Sequence, residues 1–131
     1  MEIKLTNAES ESIFHTALCN GLGYMSGYGL ALNFKKESYQ SAKDNLKSKL
    51  GENTSVCYED VLLQILRDGN SLTMVDEESD GEETIITIQD VYDRVQKTPT
   101  RFLMDMINEQ DDAETADVVI QTVFFGEIVF G

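Results

Sequence analysis

Six of the eight residues from Asp76 to Glu83 (DEESDGEE) are carboxylic acids, and Asp76, Glu78 and Asp80 alternate ahead of Gly81 as the oxygen ligands of a calcium loop do. Counted from Asp76, however, the twelfth position that should carry a bidentate Glu is Thr87. The eighth is Glu83, where an apolar residue belongs. Apolar β-forming stretches, Leu72 to Val75 and Ile85 to Ile88, flank the run in place of helices, so an EF-hand is excluded. What the run can do is concentrate Asp76, Glu77, Glu78, Asp80, Glu82 and Glu83 at one tip. There they repel as a solvated patch, capture a divalent ion weakly, or meet Lys and Arg of a partner.

A second acidic group, Asp105, Glu109, Asp111, Asp112, Glu114 and Asp117, follows later in the chain. If Asp111, Asp112 and Glu114 fold beside the first group, the two together imitate the phosphates that a basic groove holds. The plain alternative is that they serve the free N–H groups of a helix N-terminus. The pairs Asp111/Asp112 and Asp90/Asp93 could hold magnesium for a metal-dependent hydrolase, but no Lys or Arg nearby in sequence is placed to clamp a phosphoryl group. His15, the only histidine, lies four residues before Cys19, a spacing that puts both on one side of a helix. Nothing near them in sequence completes a zinc site or a thiol–imidazole catalyst, and Cys57 alone adds too little. The glycines of GLGYMSGYG lack the Lys–Ser or Lys–Thr pair of a phosphate loop. No catalytic residue, metal site or cofactor is therefore expected.

The 131 residues, 41% of them apolar, suffice for one core, so a single domain over residues 1–131 is expected. Their formal net charge is -14, from 24 acidic and 10 basic side chains. Such a field repels nucleic acids and anionic membranes and attracts basic surfaces. It is unevenly spread, since residues 1–66 hold 8 acids and 6 bases and residues 67–131 hold 16 and 4. The lysine cluster Lys35, Lys36, Lys43, Lys47 and Lys49 reads as a solvated helix face, or as one that meets the acidic half of a neighbouring copy. Cys19 and Cys57 sit among apolar helix formers and are expected to pack as small hydrophobes. With no leader pattern in MEIKLTNAES and no apolar run of the roughly 18 residues a span needs, a soluble cytoplasmic protein is expected.

These groups must be positioned by a mainly helical frame. Thr6 with Glu9 is a capping box for a helix over 7–20 in which Ile13, Phe14, Ala17 and Leu18 share a face, and Gly21 ends it. Residues 21–32 are glycine-dense yet carry Tyr24, Met25, Tyr28 and Leu30, which predicts an ordered loop. Tyr39, Ala42, Leu46 and Leu50 predict a helix over 37–50. Thr54 or Ser55 caps a third with Val61, Leu62, Ile65 and Leu66 inward. Leu72 to Val75 and Thr84 to Ile88 form a hairpin about Asp80–Gly81. Short helices follow from Thr87 with Asp90 and from Thr98–Pro99, and Asp111 with Glu114 opens a last one that Gly126 closes. A strand beginning near Val118 competes with its later half, and the tail EIVFG can add an edge strand or dock as a plug. The expected fold is α+β, with four or five helices, one antiparallel hairpin and a C-terminal edge strand as an option.

The segments ALCNGLGYMSGYGLAL (17–32), YEDVLLQILRDG (58–69) and DDAETADVVIQTVFFGEIVFG (111–131) resemble small acidic proteins encoded by bacteriophages. The resemblance covers most of the chain, includes no motif of known chemical role and carries over no functional residue. It implies a compact accessory protein in the host cytoplasm, either an inhibitor of a host factor or a minor component of the particle. Charge and resemblance together lead to a non-enzymatic protein that binds a basic protein surface, such as that of a nucleic-acid-binding protein, by imitating nucleic acid. The alternative in a different class is an oligomeric component that buries the Tyr24–Leu32 region or residues 124–130 between subunits.

Overall fold

In the computed structural model, which describes residues 3–130, the first helix begins where its capping box predicts. Glu9 N–H donates to Thr6 Oγ1 (3.1 Å) and Thr6 N–H donates to Glu9 Oε1 (2.9 Å), starting α1, Asn7–Gly21. Gly21 does not break the helical path. Leu22 keeps a right-handed helical conformation, and a short helix α2, Gly23–Gly27, follows. Gly29, at φ 79°, then turns the chain into strand β1, Leu30–Asn33. The segment predicted as a loop is thus helix and strand. Its strand is held by a partner some forty residues away, which local glycine density cannot reveal.

The lysine-bearing helix α3, Lys36–Leu50, lies on α4, Tyr58–Arg67. Cys57, rather than Thr54 or Ser55, caps α4: its thiol accepts from Asp60 N–H, while Cys57 N–H donates to Asp60 Oδ2 (3.2 Å). The hairpin is β2, Leu72–Asp76, with β3, Glu82–Ile86, in register Leu72↔Ile86, Met74↔Thr84 and Asp76↔Glu82. Ile88 leaves the strand and opens α5, Ile88–Arg94, because Thr87 and Asp90 form a capping box there. A 3-10 turn over Val95–Lys97 leads to α6, Thr100–Ile107, with Pro99 at its cap, and α7, Ala113–Phe125, is the last helix before the tail.

The fold class is α+β, with seven α-helices among the described residues rather than four or five and a three-stranded antiparallel sheet in the order β1-β2-β3. The third strand is β1, paired Leu30↔Asp76 and Leu32↔Met74, and not the C-terminal tail. Nor does a strand begin at Val118. That β-prone run is helical through Phe125 because all residues from Thr115 to Phe124 are buried, and packing on every side overrides weak local propensity. At the centre, α1 crosses α7 with Phe14 and Phe124 at 6.5 Å between ring centroids. A Cβ added at Gly21 would lie 2.8 Å from both Ala116 Cβ and Asp117 N, so the crossing is that close.

The tail docks as a plug. Val129 and Phe130 N–H both donate to Gln121 Oε1 (2.8 Å each), and Gln121 Nε2 donates to the Phe130 carbonyl (3.1 Å) and to Asp117 Oδ1 (3.0 Å). One buried amide thereby uses its donor and acceptor capacity on both the tail and its own helix. Phe130 stacks on Tyr28 at 4.9 Å, and the Tyr28 hydroxyl donates to Asp117 Oδ2 (2.7 Å).

Candidate functional site

Asp80 and Gly81 both take positive φ, 57° and 74°, which closes the β2–β3 turn and leaves its tip in solvent. Glu77, Glu78, Asp80, Glu82 and Glu83 are exposed and Asp76 is half-buried. Asp76 serves the turn, since its Oδ1 accepts from Glu78 N–H (3.1 Å) and its carbonyl from Gly81 N–H (3.1 Å). Among the described residues none of these six carboxylates has a Lys, Arg or His within ion-pair distance. Asp76 and Glu82 stand directly opposite each other across the ladder, an arrangement that destabilises a hairpin in isolation. Glu78 folds back over Gly29, where a Cβ would meet its side chain at 2.8 Å.

The two faces of the sheet differ. Leu30, Leu72, Met74 and Ile86 are buried on the inner face, where Phe125, Val129 and Phe130 border it. By alternation Ala31, Thr73, Val75, Glu83 and Ile85 form the outer face. On this face Ala31, Thr73 and Val75 are half-buried, whereas Ile85 is 59% exposed, beside a shallow cleft of about 610 Å³ lined by Asn33, Phe34, Lys35, Thr73, Glu83 and Ile85. The acidic tip therefore adjoins an apolar strip, a combination the sequence reading did not single out. The only sequence signal for it was Ile85 set beside Glu82 and Glu83.

Members of the second acidic group have local partners. Asp112 caps α7, accepting from Thr115 N–H (2.9 Å) and Oγ1 (3.0 Å), and the bond to the Thr115 backbone holds its carboxyl below the usual range. Asp111 accepts from Asn20 Nδ2 (2.9 Å), and Glu114 is exposed in the first turn. The pair Asp90 and Asp93 is likewise divided between the α5 cap and Gln89.

The thiols depart from expectation. Both Cys19 and Cys57 are exposed, not core residues, because Cys19 lies just beyond the buried Ala17–Leu18 stripe of α1 and Cys57 stands at a helix cap. His15 is half-buried, with its Nε2 2.6 Å from Asp60 Oδ1 and its Nδ1 4.0 Å from Cys19 Sγ. Asp60 is the partner that was not visible near His15 in sequence, because α4 brings it in from 45 residues away. Burial pushes the Asp60 carboxyl up, but hydrogen bonds from Cys57 and His15 outweigh it and hold the group below its ordinary value. Desolvation pushes the Cys19 thiol up, with Glu59, Cys57 and Asp60 adding in the same direction. His15, Cys57 and Asp60 are the one group of such side chains among the described residues whose potential ligand atoms all lie within 4.8 Å of one another. The hairpin carboxylates do not converge in this way. His15 and Asp60 also line a cleft of about 450 Å³ between α1, α3 and α4, shared with Lys49, Gln64 and Arg67.

No helix among the described residues is long and apolar enough to cross a membrane. Comparison of the chain with protein-family models, curated proteins and solved structures finds no match.

Proposed function

We propose that the protein binds a basic protein surface, with the β2–β3 tip making the contact and no chemical transformation involved. The observation that carries this reading is the group of six carboxylates that has no countercharge among the described residues and adjoins the exposed Ile85 and half-buried Val75. Folding draws Asp76 and Glu82 together against their repulsion, and a Lys- or Arg-rich partner relieves it. A groove that otherwise holds nucleic-acid phosphates has that chemistry. Val75 and Ile85 give the contact an apolar component that does not weaken with salt, while Asp111, Asp112 and Glu114 add to the field that steers the encounter.

The test is affinity capture from the host lysate, followed by binding kinetics with the captured protein over a salt series. Replacement of Asp76, Glu77, Glu78, Asp80, Glu82 and Glu83 by Asn and Gln should slow association by about tenfold or more at low salt. The same change should flatten its salt dependence, with Ile85→Thr instead speeding dissociation. Capture indifferent to the neutralised tip, or a salt-insensitive homo-oligomer whose mass survives that change, overturns the reading.

A further inference from the structure

We propose that His15, Cys57 and Asp60 form a binding site for zinc or a chemically similar late first-row transition ion, with its remaining coordination position open to the cleft between α1, α3 and α4. The donor set decides the class of ion. A thiolate with an imidazole selects borderline to soft metals, whereas calcium or magnesium would require the all-oxygen clusters that the acidic tip fails to converge. The present His15 Nε2 to Asp60 Oδ1 separation is 2.6 Å, a proton's bridge. Bonds of about 2.0 Å at a tetrahedral angle place two such atoms about 3.3 Å apart, so the ring and carboxylate need to part by roughly 0.7 Å. Both groups are partly exposed and lie on separate helices, and the Cys57 sulfur, exposed at its cap, already lies within 4.8 Å of their ligand atoms.

Two further features favour an ion here. The net charge of -14 concentrates cations around the chain. In the same cleft Gln64 is buried with its Oε1 lacking any hydrogen-bond partner, an acceptor to which a hydrated ion brings donors. Cys19, on the Nδ1 side of the ring, stands beside the site and is not among its ligands. Binding therefore displaces the proton between His15 Nε2 and Asp60 Oδ1, which a neutral ring takes up at Nδ1, releases the thiol proton of Cys57, and ties the third turn of α1 to the start of α4.

The test is a Co²⁺ titration of the full chain, purified free of metal under reducing conditions. The expected result is an equimolar complex with a thiolate-to-cobalt charge-transfer band and the visible absorption of a low-coordinate site, both abolished by added Zn²⁺. Cys57→Ser is the informative variant because serine is itself a good helix cap. Its circular dichroism and melting should match the parent while the charge-transfer band disappears. Affinity in Cys57→Ser and in His15→Gln should fall by more than about tenfold, since loss of an outer partner alone typically costs 10–100-fold, and Cys19→Ser should stay within about twofold. Absence of the charge-transfer band overturns the proposal, as does its survival in Cys57→Ser or its loss in Cys19→Ser.

Discussion

Replacing Gly21 by alanine tests the α1–α7 crossing, because two opposing effects of known size meet there. In an unobstructed helix the change is favourable by up to about 1 kcal/mol. Here the new Cβ would stand 2.8 Å from Ala116 Cβ, 2.8 Å from Asp117 N and 2.9 Å from the Ala116 carbonyl carbon. Carbon atoms settle at about 3.5–4.0 Å, so the overlap approaches 1 Å, and two of the three obstacles are backbone that cannot swing aside. Overpacking costs about 1–3 kcal/mol, and with backbone obstacles the upper part of that range, about 2–3 kcal/mol, applies, so after the propensity gain Gly21→Ala should lose about 1–2 kcal/mol. At this chain length that lowers Tm by about 3–10 °C in a thermal melt followed by far-ultraviolet circular dichroism. Gly23→Ala is the matched control, since nothing lies within 4 Å of a Cβ there, and it should be neutral or stabilising. Adding Ala116→Gly to Gly21→Ala removes the Cβ–Cβ overlap but costs about 1 kcal/mol of helix propensity within α7, so the double variant should be no more stable than Gly21→Ala. A Gly21→Ala protein that melts at or above the parent temperature refutes the reasoning and the close crossing together.

Two further outcomes follow from Tyr28 and Gln121, beside those stated for the tip and for the metal. The bond to Asp117 pushes the Tyr28 hydroxyl up to about 12 from an ordinary 10, with desolvation adding to it. The folded state then favours the protonated phenol, so this contribution is whole below pH 10, declines as pH rises between 10 and about 12, and is gone above. Tyr28→Phe should remove that alkaline slope from a pH series of melts and cost about 1.5 kcal/mol, the size of a hydrogen bond to a charged group, leaving the stack on Phe130 in place. Gln121→Met removes the clasp on the tail, with an expected loss of about 2–4 kcal/mol from four hydrogen bonds at roughly 1 kcal/mol or less each. The Val129 and Phe130 amides should then exchange with solvent deuterium well before α7 does, and their continued protection would show that apolar contacts alone seat the tail.

What the sequence disclosed were the features with local causes. The Thr6–Glu9 and Thr87–Asp90 boxes, the apolar spacing of Val61, Leu62, Ile65 and Leu66, and the turn at Asp80–Gly81 each act within a few residues, and each element exists, although α4 starts after Cys57 and β3 runs Glu82–Ile86 rather than Thr84–Ile88. What it concealed were features created by distant partners. Leu30–Asn33 is a strand because β2 lies beside it, and His15 acquires Asp60 only when α1 meets α4. The candidate tip was legible because charge is a property of composition. Its open apolar neighbour was not, because the exposure of Ile85 depends on which face of the sheet the tail and α7 cover. Cys57 was misjudged for a related reason: a thiol among apolar residues usually packs, but here it replaces the hydroxyl of an ordinary cap.

Helix α3 is fastened almost entirely to α4, and it contributes only Ala42 and Leu46 to the interior. A segment so lightly anchored is a natural unit of subglobal opening, able to swing off while the α1–α7 centre stays closed. Leu46, Lys49 and Leu50 form one wall of the cleft that reaches His15 and Asp60, so an opening of α3 takes that wall with it. The breathing of this single lysine-rich helix would then set how quickly anything in solution enters or leaves the space behind it.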